Sequence, residues 1–390
     1  MILSKRVDRL SPSMTIAIST LANELKAKGK DILSFSAGEP DFDTPQAIKD
    51  EACVSLGRGE TKYTAVDGTL EVKTAIKNKL KRENGLDYEL DGIMVNVGAK
   101  HSLFNIFQAL VDHGDEVIVP APYWVTYPEL AKYCGATPVI INTNDKSNFK
   151  ITASQLQEAI TKKTKILILT TPSNPTGAVY SKQELESLSD VLKDTSIAVV
   201  SDEMYEKLIF DDIKFISVAS INDDMLNRTI TVNGLSKSVA MTGWRFGYLA
   251  TKNKNLQKAM KKLQSQSTSN INATTMAASI IALDGKVDED IEYMRTQFEA
   301  RRNSAIKMFN DIEGLSVKKP DGAFYLYVNI EKIEKDSLKF CEKLLEYTGV
   351  AVVPGAAFGL DGYFRFSFAT SLENIIEGIN RIEKFVKEYV

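Results

Sequence analysis

From residue 93 onward the chain alternates short apolar runs with stretches whose apolar residues recur at helical spacing. Ile93–Val97, Glu116–Val119, Thr137–Ile141, Lys165–Thr170, Ile197–Ser201 and the β-branched run opening at Thr229 have the length and texture of buried strands. Ser102–Val111, Val125–Tyr133, Ser154–Ile160 and Lys182–Leu192, lying between them, predict helices. Such alternation predicts βαβ units, and hence an α/β fold with a mostly parallel sheet covered by helices on both faces.

The flanks have a different grain. Met1–Lys30 reads as an arm followed by a helix, with Leu21 and Leu25 at helical spacing and Gly29 as a stop. Ile32–Phe35 predicts a short strand, and the proline-rich loop after it leads to helices over Gln46–Leu56 and Leu70–Asn84. Residues 252–310 read as helical, broken by the polar run Ser265–Asn270, with Glu292–Phe309 a long amphipathic helix able to bridge to a second domain. Ala323–Asn329 and Val350–Val353 predict strands. Tyr363–Phe368 alternates strictly, with Phe364, Phe366 and Phe368 opposite Tyr363, Arg365 and Ser367, which predicts a half-exposed strand of a small antiparallel or mixed sheet. Helices over Ser337–Tyr347 and Leu372–Glu388 would cover one side. The expected division is an arm and part of a small domain over 1–45, a large domain over 46–285, and the remainder of the small domain over 286–390.

Composition narrows the function more than the fold. A formal charge of −3 gives no footprint for nucleic acid or a membrane surface. No apolar run approaches the roughly 18 residues of a membrane span, and the N-terminus lacks the apolar core of a signal peptide. Cys53, Cys134 and Cys341 are sparse and far apart, which argues for a reducing, cytoplasmic setting. With His101 and His113 the only histidines, no His/Cys metal site and no His-based triad is expected.

Ligands of open α/β sheets sit beyond the carboxyl ends of the strands. Several chemically capable residues fall there, each after its own strand: Gly98-Ala99-Lys100, Trp124, Asn174, Asp202 with Tyr205, and Lys237. A lysine packed at such a point loses proton affinity and forms Schiff bases with carbonyls. Arg245, eight positions after Lys237 and flanked by Gly243 and Gly247, suits a phosphate. Amine and phosphate site together suggest a phosphorylated aldehyde such as pyridoxal phosphate, although an ordinary loop lysine and a structural arginine would look the same in isolation.

The motifs AGEPDFDTP at 37–45, VGAK at 97–100, PYW at 122–124, PSNPTG at 172–177, SDEMY at 201–205, SK at 236–237, MTGWRFG at 241–247 and FRFSFA at 364–369 occur in this order over nearly the whole chain. The sequence thereby resembles the fold-type I pyridoxal-phosphate enzymes, specifically the class I aminotransferases, and within them the bacterial aspartate branch. The resemblance implies that Lys237 is the Schiff-base lysine and proton carrier, that Asp202 pairs with the pyridine nitrogen, and that Asn174 and Tyr205 donate to the phenolic oxygen. It implies Trp124 stacked on the ring, and a phosphate held by Gly98, Ala99, Lys100, Ser236 and Arg245. Tyr63 would reach the phosphate from the neighbouring subunit of a homodimer. Arg365 would grip the substrate α-carboxylate, with Gly38, Trp124 and Asn174 also beside the substrate. The implied reaction is a ping-pong transfer of an amino group from an amino acid, L-aspartate first among them, to 2-oxoglutarate.

Two positions depart from the family pattern. Many relatives carry a phosphate-binding serine where this chain has Gly234, so either Ser236 substitutes or that contact is lost. No counterpart of a side-chain-binding arginine stands out around Ser265–Asn270; Lys100, Ser13 and Thr15 match the positions that meet a distal carboxylate in the bacterial branch. Transfer from aromatic amino acids or to prephenate, and a carbon–sulfur β-lyase, remain open on the same scaffold. A ligand-sensing regulator domain fits less well, because no basic winged-helix segment precedes these motifs.

Overall fold

The computed structural model describes residues 1, 3–12 and 14–389, without the side chains at 15, 16 and 389. Strands are numbered in chain order. β1 (Leu33–Ser34) lies in the first part of the chain. β2 (Ile93–Val97), β3 (Glu116–Ala121), β4 (Thr137–Asn142), β5 (Thr164–Thr170), β6 (Ala198–Asp202), β7 (Thr229–Gly234) and β8 (Phe246–Ala250) form a seven-stranded sheet in the order β2-β8-β7-β6-β5-β3-β4. All run parallel except β8, which is antiparallel to both of its neighbours.

Successive side chains of β5 enter different cores. Ile166 and Ile168 pack with Val200 and Val232, whereas Leu167 and Leu169 pack with Val199. Both faces are therefore buried, as the unbroken apolar runs require. Each such aliphatic side chain contributes about 1.5–3 kcal/mol through burial. Helix boundaries follow their local signals. Thr69 caps Leu70–Asn84 by accepting from the Val72 amide, and Gly85 ends that helix in the left-handed region at φ 68°. A capping box of Ser181 and Glu184 opens Lys182–Leu192.

The remaining strands are β9 (Ser316–Val317), β10 (Tyr325–Asn329), β11 (Val350–Ala351), β12 (Val353–Pro354) and β13 (Tyr363–Ser367). β12-β13-β10-β9 form an antiparallel sheet, and β1 pairs in parallel with β11. The first part of the chain thus joins the last. The expected half-exposure of β13 is corrected: all five residues are buried. On its aromatic face, Phe366 stacks on Phe35 with centroids 4.1 Å apart and Phe364 on Phe340 at 5.8 Å. Its polar face is covered as well, because Tyr363 stacks on Tyr327 and the Arg365 guanidinium lies over Tyr325. The helical stretch 252–310 resolves into Lys254–Ser265, Ala273–Leu283 and Asp288–Asn310. Among the described residues, no helix is long and apolar enough to cross a membrane.

Parallel pairing brings strand ends side by side. Thr170 of β5 is the register partner of Asp202 of β6, and Asp202 is that of Val232 of β7. Residues just past these positions share one edge of the sheet, facing the small antiparallel sheet.

Candidate active site

A cavity of about 420 Å³ opens at this edge. Gly38, Ala99, Lys100, Trp124, Asn174, Asp202, Tyr205, Ser236, Lys237, Arg245 and Arg365 line it. Residues as far apart in sequence as Gly38 and Arg365 converge because the ends of β2, β3, β5, β6 and β7, the segment after β1 and the middle of β13 meet here.

Lys237 sits three residues beyond β7, and its Nζ donates to the Gly38 carbonyl. Burial lowers its pKa to about 8, against the opposing pull of Glu39. Asp202 is 5% exposed at the end of β6. Burial raises its proton affinity, while donors oppose that rise: Tyr127 Oη at 2.8 Å on Oδ2 and the Met204 amide at 3.2 Å on Oδ1. Tyr205 is buried, and its hydroxyl pairs with that of Tyr325 at 2.8 Å.

Arg365, 4% exposed on β13, donates from Nη1 to Asn174 Oδ1 at 3.0 Å and from Nη2 to the Ser36 carbonyl at 2.8 Å. Its Nε is buried without a partner. A buried donor left unpaired is costly, so this N–H is a ready partner for an anion entering the cavity.

A second cationic corner lies around the helix Gly98–Leu110. The N-cap residue Val97 offers no side-chain cap to this helix, so the amides of its first turn have no partner within the helix. Gly98 has φ 74°, and a Cβ there would stand 2.5 Å from Arg245 Nη2. Gly98 itself stands behind Arg245 and does not line the cavity. Arg245 adopts φ 55° and donates to the Thr242 carbonyl at 2.8 Å. Lys100 Nζ lies 4.8 Å from the Trp124 ring, and partial burial and Arg245 both lower its pKa. The glycine at 234 has a packing reason: a Cβ would stand 2.7 Å from the Phe246 carbonyl, where β7 and β8 close together. Ser236, buried two residues later, brings a hydroxyl to the cavity.

Tyr63 is not brought to this cavity. It is 90% exposed and lines a separate surface groove with Asn270 and Asn272. Ser13 lies outside the described residues, as does the Thr15 side chain. Conversely, Tyr127, Thr170, Tyr325 and Thr242 line the cavity without having been singled out by sequence. Thr170 stands at a strand end like the residues that were, and Tyr127 is one helical turn beyond Trp124, so position alone offered a signal for both.

The family model for aminotransferase class I and II matches residues 30–382. A probable aspartate/prephenate aminotransferase of Rickettsia conorii is 47% identical over 99% of this chain and 98% of its own length. The aspartate aminotransferase of Bacillus subtilis is 44% identical over 99% of both. Among solved structures, the aspartate aminotransferase of Rhizobium meliloti superposes with a TM-score of 0.96 at 41% identity, covering 99% of both chains. That of Thermus thermophilus with maleate gives 0.95 at 39%, covering 98% of this chain and 99% of the other. With whole-length identity at this level and a matching family model, the chain belongs to the class I and II aminotransferases and is an aminotransferase.

Proposed function

We propose that the cavity holds pyridoxal 5′-phosphate and that the enzyme transfers the amino group of L-aspartate to 2-oxoglutarate in two half-reactions. One observation carries this reading: a lysine with pKa lowered to about 8 shares a single cavity with two separate anion-binding corners. The donor set fits the cofactor. Arg245, Ser236, Lys100 and the amide of Ala99 suit a phosphate, with Gly98 making room behind Arg245. Asp202 offers a carboxylate for a ring nitrogen, Asn174 and Tyr205 offer donors for a phenolic oxygen, and Trp124 offers a ring face. When bound, the cofactor supplies an aldehyde for the amine and a cationic ring that stabilises charge at the substrate Cα.

The chain's own residues do the rest. Lys237 Nζ would supply the amine that holds the cofactor, and would then take the proton from the substrate Cα and pass it to the cofactor's aldehyde-derived carbon. Its lowered pKa favours the neutral, basic form this task needs. Arg365 binds the α-carboxylate through its fork, with the unpartnered Nε available to it. Gly38 keeps the wall beside Lys237 free of a side chain; a Cβ there would approach the Tyr325 hydroxyl to 3.3 Å. Lys100, with Ser13 and Thr15, is proposed to meet the distal carboxylate, which is what separates aspartate from apolar donors.

Support for aspartate comes from the names of the relatives and from maleate, a dicarboxylate, in the Thermus thermophilus structure. Relatives named aspartate/prephenate aminotransferase favour prephenate as a second acceptor. We further propose a homodimer, in which the partner's copy of the exposed Tyr63 completes the phosphate site. Exposed Val54, Leu56 and Leu70 give the chain apolar surface for such a contact. The pairing of β1 with β11 supports a small domain built from 1–45 and 286–390 around a large domain over 46–285. Three unpaired cysteines accord with a cytoplasmic setting.

The test is a panel of amino acids with 2-oxoglutarate and pyridoxal phosphate, read as initial rates of glutamate formation. Aspartate should lead. No glutamate from any donor would sink the proposal, and pyruvate with ammonia from cysteine conjugates would replace it with a lyase.

A further inference from the structure

We propose that Tyr127, oriented by Thr170, is a positioning residue that clamps the Asp202 carboxylate and keeps its charge available to the cofactor's ring nitrogen. The inference rests on the cofactor reading above. Three side chains form a directional chain: Thr170 Oγ1 donates to Tyr127 Oη at 2.9 Å, and Tyr127 Oη donates to Asp202 Oδ2 at 2.8 Å. Because the tyrosine oxygen accepts from Thr170, its own proton is left to point at the carboxylate. Thr170 and Asp202 are register partners on adjacent parallel strands, so the sheet itself fixes one side of the triangle. The other side is fixed by packing, since Tyr127 is 1% exposed and meets Trp124 edge to face at 5.6 Å.

Asp202 needs this support. It is buried, and burial favours its neutral form, which would offer a ring nitrogen no charge. The Tyr127 hydrogen bond acts against burial and favours the carboxylate. Of the roughly four lone-pair sites of a carboxylate, Tyr127 and the Met204 amide take two, which leaves room for the ring N–H. A tyrosine buried only for packing would need no carboxylate at its hydroxyl; phenylalanine would fill the same space.

The experiment titrates pyridoxal phosphate into the full-length wild type, Tyr127→Phe, Thr170→Val and the double variant, from about pH 5 to about pH 9. Binding is followed by protein fluorescence. Tyr127→Phe should lower cofactor affinity at neutral pH by roughly tenfold or more and move the acid midpoint of binding up by about one pH unit. Thr170→Val, which keeps its volume, should shift the midpoint less in the same direction, and it carries the test if Tyr127→Phe does not fold. The double variant should match Tyr127→Phe, because Thr170 acts through the tyrosine. A purely structural role predicts a lower thermal midpoint with an unmoved pH midpoint, and that result overturns the inference. So do additive effects in the double variant. Wild type that binds no cofactor at any pH overturns the site reading as well.

Discussion

Arg365 Nη1 stands 3.0 Å from Asn174 Oδ1 while its Nη2 bonds the Ser36 carbonyl, so a guanidinium carried on β13 is held by the loop beyond β5 and by the segment after β1. Three distant pieces of chain fix one fork, and its Nε is left buried without a partner. Lysine in this place would keep the charge and lose the planar fork. Arg365→Lys should therefore lower kcat/KM for aspartate by a factor of roughly 10²–10³, corresponding to about 3–4 kcal/mol. Steady-state kinetics check it, and an unchanged kcat/KM would remove Arg365 from substrate binding.

The lowered pKa of Lys237 has a kinetic signature with a definite sign. An amine with its pKa near 8 is about half neutral at that pH, whereas an ordinary lysine near 10.4 is neutral in only about 1 molecule in 250. Capture of pyridoxal phosphate by the cofactor-free chain should speed up as pH rises toward about 8 and then level off. Stopped-flow absorbance across the range reads the rate directly. Continued acceleration beyond about pH 9.5 would show Lys237 titrating as a solvated lysine.

Gly98 is held at φ 74°, where a Cβ would meet the Arg245 guanidinium at 2.5 Å. Gly98→Ala should displace Arg245 and strain the turn, weakening cofactor binding by roughly tenfold or more while leaving KM for the amino acid nearly unchanged. Equilibrium dialysis of the cofactor provides the measurement. The companion Gly85→Ala, also at positive φ but facing open space, should cost about 1 kcal/mol of stability and leave cofactor affinity alone. Equal effects of the two on cofactor binding would contradict the cradle.

Glu203, next to Asp202 but on the opposite face of the sheet, is fully buried. Its Oε1 accepts from Ser201, Ser217 and the Val218 amide, and its Oε2 has no partner. Burial, with Glu206 nearby, raises its pKa to about 7. Between the ordinary carboxylate value of about 4.3 and about 7, the folded chain holds a proton that the unfolded chain has released, so this group loses stability as pH rises through that window and changes little above it. Glu203→Gln removes the slope. Its thermal midpoint relative to wild type should rise between about pH 5 and about pH 8, by an amount corresponding to on the order of 2–3 kcal/mol. A difference that stays constant with pH would show Glu203 ionised throughout.

Much of the site was legible because parallel sheets place strand ends together, and several chemically capable residues follow an apolar run within a few positions. Asp202 after AVVS and Asn174 after KILILT illustrate this. What depends on packing across strands was not legible. β8 runs against its neighbours because only residues 235–245 join it to β7, too few for a helical crossover. The alternation of β13 reads as exposure in a sequence, yet its polar face is covered by Tyr327 and the cavity wall. Gly234 looks like a lost phosphate ligand until the close approach of β7 and β8 is seen to admit no side chain. Tyr127 carries no motif of its own, since its place beside Asp202 is set by a helix packing on the sheet.

The central claim is that Lys237 is the residue that takes up pyridoxal phosphate. The most direct measurement is to load the full chain with the cofactor, reduce with borohydride, digest, and locate the pyridoxyl group by mass spectrometry. The account predicts one label per chain, on Lys237, lost on addition of excess aspartate before reduction. A label on Lys100 or any other lysine, or none at all, would contradict it.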